Sequence, residues 1–196
     1  MSLLDLAGVS TLRELLAGTE WPRLTERFGR LLRRSTRTPG GLLVVGTPDN
    51  EPWHVAAHLD EESRLAGIPE LLPTLVRYNA PPNAPKHLAF DLRRLELAQR
   101  GESVLVVAPD EAPEPLLERL TDARRQGATV LAVDQGDREL EAVAHDTLIV
   151  PSGDLTTVSF DSVTHLLTAA TVTTERRGLR DQVGRLLDRV TGSPIE

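Results

Sequence analysis

The sequence predicts an α/β fold: a three-layer, doubly wound parallel sheet with N-terminal helices. Three observations predict it. Runs of Val, Leu, Ile and Ala within 42–46, 103–108, 129–133 and 147–150 are apolar at three or more consecutive positions, as strands covered on both faces must be. Segments of helical periodicity separate those runs. Gly or Pro stands at most of the changeovers. Strands that alternate with helices build a parallel sheet, and right-handed crossovers cover both of its faces.

The first 36 residues read as helix. Leu3, Leu4, Leu6, Val9, Leu12, Leu15 and Leu16 recur at helical spacing, with breaks near Gly8 and Gly18. Leu24, Phe28, Leu31 and Leu32 make one face of a second run. Arg23, Arg27, Arg30, Arg33 and Arg34 surround it as a wet face. Thr38-Pro39-Gly40-Gly41 stops that helix, and the strand 42–46 follows. In the turn Thr47-Pro48-Asp49-Asn50-Glu51-Pro52, the proline suits the first turn of a helix, with Asn50 or Glu51 as its cap. That helix spans about 53–65 and ends at Gly67. Residues 68–87 are rich in proline and hold a short strand near 72–76. A helix over 88–100 is closed by Gly101.

The second half is more regular. Strand 103–108 leads to a helix over 115–126 with Leu116, Leu117, Leu120 and Ala123 inward. Strand 129–133, a short helix over 139–144 and strand 147–150 follow. Residues 161–174 form an apolar helix rich in small side chains. Leu179, Val183, Leu186, Leu187 and Val190 mark a last amphipathic helix. All of 1–196 is expected to be one domain: N-terminal helices 1–36, an α/β core 40–174 and a C-terminal helix 175–192.

Composition narrows the function classes. Of 196 residues, 40% are hydrophobic but only 3% aromatic, so the core is built from Leu, Val and Ala. The net charge of -7 argues against nucleic acid or an anionic membrane as main partner. With no cysteine, disulfides and thiolate metal sites are excluded. Met1-Ser2-Leu3-Leu4-Asp5 lacks the basic start of a signal peptide, and no apolar stretch reaches the ~20 residues of a membrane span. The expectation is a cytoplasmic protein.

Several segments carry a family resemblance. The strand 42–46 with its turn, His58-Leu59-Asp60-Glu61-Glu62, and Gly101-Glu102-Ser103-Val104-Leu105-Val106 come first. Gly127-Ala128 with Val130-Leu131-Ala132-Val133, and His145 to Pro151, follow in order. In order and spacing these resemble the sugar-isomerase (SIS) family, phosphoheptose isomerases in particular. The resemblance spans about 40–170 and implies a flavodoxin-like strand order, a homodimer and a carbohydrate-derivative ligand. It places the dimer contact on the N-terminal helices or the 161–174 helix.

The departures bear on chemistry. In that family, turns after two strands hold a phosphate on backbone amides and hydroxyls at a helix N-terminus. Here the first turn holds Pro48, Asp49 and Glu51. The second, 108–115, holds Asp110, Glu111 and Glu114 among prolines. Proline removes an amide donor, and the carboxylates themselves serve the positive helix ends. Phosphate affinity is therefore expected to be poor. By resemblance, Glu61 or Glu62 matches the isomerases' catalytic glutamate and His165 one of two histidines. Asp161 stands one turn earlier, where the family has the other. An ordinary aspartate does not donate a proton near pH 7.

Ligands of open α/β sheets gather at the carboxyl edge of the strands. The candidate ligand-binding residues are Gly46, Thr47, Asp49 and Asn50 in the first turn, Asp110 and Glu111 in the second, and Ser152 and Thr156 beyond the last strand. Asp110, Glu111 and Glu114 could equally be a solvated helix start. His54 and His58, four apart on a helix with Glu61 or Glu62 a turn away, could present ligands to a metal, or be two half-exposed histidines. No metal and no cofactor is expected. The Rossmann glycine fingerprint and the serine nucleophile elbow are both absent, which argues against NAD and against serine hydrolysis. The expected function is a catalytically silent, homodimeric module that binds a carbohydrate derivative or serves regulation or interaction. The competing expectation is a sugar-phosphate isomerase using Glu61 or Glu62 with His165.

Overall fold

Five parallel strands form the sheet of the computed structural model, which describes residues 11–78, 90–152 and 158–172. In chain order the elements are α1 (described over 11–15), α2 (Trp21–Ser35), β1 (Leu42–Gly46), α3 (Trp53–Ala66), a 3-10 turn (Pro69–Leu71) and β2 (Pro73–Val76). Then come α4 (Arg93–Glu96), β3 (Ser103–Ala108), α5 (Glu114–Arg125), β4 (Thr129–Asp134), α6 (Arg138–Val143), β5 (Asp146–Ile149) and α7 (described over 160–172). The strand order is β2-β1-β3-β4-β5, the doubly wound arrangement expected.

Alternation along the strands separates two cores. Leu42, Val44, Leu105, Val107, Leu131 and Val133 face one side and pack on α2, α3 and α7. Leu43, Val45, Val104, Val106, Val130 and Ala132 face the other and pack on Leu95, Leu116, Leu120 and Leu140. Both faces are dry, which is why the strands read as continuous apolar runs rather than as an alternating pattern. Where α2 nears α7, a methyl group at Gly29 would lie 2.8 Å from the Thr171 nitrogen, so only glycine admits this close approach.

Two sequence expectations need correction. The helix expected over 88–100 is one turn, Arg93–Glu96, within its described part. The backbone on either side is engaged elsewhere: the Phe90 carbonyl accepts from Arg77, and the Gly101 carbonyl accepts from Arg37 and Thr38. Those tertiary bonds outweigh local helical propensity. At α3, Pro52 occupies the cap position itself, and neither Asn50 nor Glu51 caps the helix with its side chain. Helix α7 buries Val163, Thr164 and residues 166–172 against the sheet and α2 and leaves Asp161 and His165 exposed. The C-terminal helix expected over 175–192 lies outside the described residues.

Candidate functional site

From β1 the chain goes to the edge strand β2, then returns past β1 to β3. The two crossovers that leave β1 and β3 therefore diverge, opening a crevice above the carboxyl ends of these strands. A cavity of about 240 Å³ lies there on the α3–α7 side. The turn after β1 contributes Asn50, Glu51 and Pro52. Helix α3 contributes His54, Val55 and His58, and β3 contributes Val107. Helix α7 contributes Phe160, Asp161, Thr164, His165 and Thr168. The spacing follows from helix geometry: His54 and His58 are four apart, and the α7 residues fall on one stripe at i, i+1, i+4, i+5 and i+8 from Phe160.

The His58 and His165 rings meet edge to face with centroids 4.8 Å apart. His54 lies against the exposed Trp53 ring at 4.3 Å. Glu51 and Arg77 form a two-pronged ion pair, with Nη2 donating to Oε2 at 2.9 Å and Nε donating to Oε1. That hydrogen-bonded partner holds the Arg77 guanidinium above its ordinary value. The Thr164 hydroxyl donates to the Asp161 carbonyl at 2.8 Å, and the Thr168 hydroxyl donates to the His165 carbonyl at 2.9 Å. Both hydroxyls therefore keep lone pairs but no hydrogen for a ligand. Among the described residues no Lys or Arg lines this cavity.

A second cavity, about 500 Å³, lies over β3 and β4 and is lined by Pro109 to Ala112 and Gln135 to Glu139. Asp137 organises it. One carboxylate oxygen accepts from the amides of Glu139 and Leu140, capping α6. The other accepts from the Ala112 amide at 2.7 Å. Behind it stands Asp134, fully buried at the end of β4. One of its oxygens accepts from Gly136 at 2.9 Å, and the other has no partner among the described residues. Burial pushes the Asp134 carboxyl up to about 6, against an ordinary value of 3.8, with the Gly136 bond opposing and Glu141 and Asp137 adding to the rise.

The candidate residues divide between these places. Asn50, His54, His58 and His165 line the first cavity, and Asp110 and Glu111 line the second. Gly46 lines neither, because the turn folds over it: a methyl there would lie 2.0 Å from the Asn50 carbonyl oxygen. Thr47 is 2% exposed and its hydroxyl has no partner among the described residues. Asp49 and Ser152 are exposed and line neither cavity. Glu61 and Glu62 lie farther along α3, outside both linings. Thr156 lies outside the described residues. His54 and His58 gain no third ligand: no group of three His, Asp or Glu side chains suited to a metal occurs among the described residues.

At the α5 N-terminus Glu114 stands in the first turn, as expected of a carboxylate serving the positive helix end. None of Asp110, Glu111 and Glu114 caps it, and the carboxylate on the 109–113 turn comes from Asp137. Sequence reasoning missed Asp137, although an Asp just before a helix whose first turn is acidic is an N-cap signal. It also missed Arg77, Thr164 and Thr168, whose parts depend on contacts across the fold.

No protein-family model and no curated sequence matches the chain. Solved structures do. The sugar isomerase domain of an RpiR transcription factor from Sphaerobacter thermophilus aligns at 18% identity, with 94% of each chain covered and a TM-score of 0.55. The NanR protein of Vibrio vulnificus, complexed with ManNAc-6P, aligns at 13% identity over 98% of this chain and 69% of that one, with a TM-score of 0.51. These likenesses show that the fold is SIS-like. Among the described residues, no helix is long and apolar enough to cross a membrane.

Proposed function

We propose that the chain is a non-catalytic, SIS-like binding module, homodimeric, that takes a carbohydrate derivative in the cavity between α3 and α7. One observation carries this reading. A cavity lined by several hydrogen-bonding side chains, with Val55, Val107 and Phe160 as apolar wall, stands at the switch point of a doubly wound sheet. Polar groups among apolar ones suit a sugar, whose rim of hydroxyls surrounds weakly polar faces. The SIS-like fold supports the ligand class, because the NanR protein of like fold is complexed with ManNAc-6P. The absence of turnover rests on Asp161, at the position that the family resemblance gives to a histidine. Glu61 and Glu62, moreover, lie outside the lining. The self-contact is placed on the N-terminal helices or on the exposed side of α7.

Thermal shift against a panel of sugars, sugar phosphates, amines and divalent metals tests the reading, since a ligand of the folded state raises the midpoint. Amide chemical shifts locate the site. Sugar-dependent changes confined to 50–58 and 160–168 are expected. Stabilisation by metals or amines alone would refute a carbohydrate site, and sedimentation showing a monomer would remove the homodimer.

A sugar-phosphate isomerase is the second reading, and the meeting of His58 with His165 in the cavity favours it. It requires deuterium from solvent to enter the carbon beside the carbonyl of an aldose or ketose phosphate.

A further inference from the structure

We infer that the ligand of the α3–α7 cavity is an uncharged, hydroxyl-rich carbohydrate without a phosphate group. This rests on the reading of that cavity as a carbohydrate site, and four observations carry it. At the 109–113 turn, the Ala112 amide already bonds a carboxylate, that of Asp137 at 2.7 Å. The chain supplies its own anion there, so a phosphate would have to displace it and face Asp110 and Glu111 as well. At the first turn, the Asn50 backbone lies directly over Gly46, and the Thr47 hydroxyl is buried. The strand end is closed, and that hydroxyl does not reach the cavity.

Charge around the cavity points the same way. Among the described residues no Lys or Arg lines it, and the Arg77 guanidinium beside it is taken by both oxygens of Glu51. A phosphate gains little from an arginine already engaged in a two-pronged pair. Finally, the lining mixes acceptors with donors: the Asp161 carboxylate and the lone pairs of Thr164 and Thr168, whose hydrogens are spent on α7 carbonyls, stand beside the Asn50 amide and the imidazoles of His54, His58 and His165. A sugar hydroxyl both donates and accepts, so it can meet either kind of group.

The test titrates full-length protein with hexoses and pentoses, each beside its terminal phosphate ester, and with inorganic phosphate. Calorimetry gives affinity and amide shifts give location. The expected result is saturable binding of a parent sugar at 50–58 and 160–168, weakened about tenfold or more by phosphorylation. An ester that binds tighter than its parent sugar, or inorganic phosphate that moves the Ala112 amide, would overturn the inference and leave the carbohydrate site standing. If neither sugars nor esters perturb the cavity, the proposed function falls and the inference with it. Asp137→Ser, which keeps a capping oxygen for α6 but is too short for Ala112, is expected to gain affinity for inorganic phosphate. No gain in a variant with wild-type circular dichroism would count against the role given to Asp137.

Discussion

His58 on α3 and His165 on α7 meet edge to face, their ring centroids 4.8 Å apart, although distant parts of the chain supply them. The pair joins the two helices that frame the cavity. His165 is exposed and His58 half-exposed, so neither is a core side chain.

His58→Ala and His165→Ala are therefore expected to weaken carbohydrate binding about tenfold or more, the loss of one or two ligand hydrogen bonds. Thermal midpoints should stay within a few degrees of wild type, because little buried apolar area is removed. Calorimetry beside thermal melts checks both halves. Unchanged affinity in both variants would place the ligand elsewhere.

Asp134 makes stability depend on pH. Its carboxyl is raised to about 6 in the folded chain, so the folded state holds its proton longer than the unfolded one. Its contribution is fully present below about pH 4 and is lost as pH rises through about 6. The loss is on the order of 3 kcal/mol. Asp134→Asn removes the ionising group and keeps an oxygen for Gly136. Urea unfolding from acid to neutral pH should show the variant gaining on wild type across this window and remaining more stable above it. Parallel curves for the two proteins would contradict the assignment.

Gly46→Ala places a methyl 2.0 Å from the Asn50 carbonyl oxygen, and backbone must move to admit it. A loss of about 3 kcal/mol or more, or failure to fold, is expected. Gly67→Ala is the comparison. Gly67 ends α3 at φ 69° with open space around it, so only the left-handed backbone is penalised, at about 1 kcal/mol. Denaturant midpoints of the two variants should differ in that order.

Glu51→Gln releases the Arg77 guanidinium from its charged partner. Affinity for a sugar phosphate should rise above wild type at low salt, and the gain should fade at high salt because the new attraction is electrostatic. Calorimetry at two ionic strengths measures it. An ester affinity that ignores both the substitution and the salt would show that Arg77 does not reach the ligand.

By itself the sequence determined the strands, most of the helices and their layering. Leu42–Gly46, Ser103–Ala108 and Thr129–Asp134 are dry on both faces, and burial of that kind is written as uninterrupted apolar runs. It also determined that acid and proline, rather than serine and glycine, crowd the two turns. Only the tertiary structure decided the rest. It shortened the helix expected over 88–100, because carbonyls at Phe90 and Gly101 bond amides from other segments. It separated Gly46 and Thr47 from the cavity, brought His58 to His165, tied Glu51 to Arg77 and set Asp137 on the Ala112 amide. Periodicity records which face of an element is buried, a one-dimensional property. Which side chains meet across that burial depends on how the elements pack, and no local pattern encodes it.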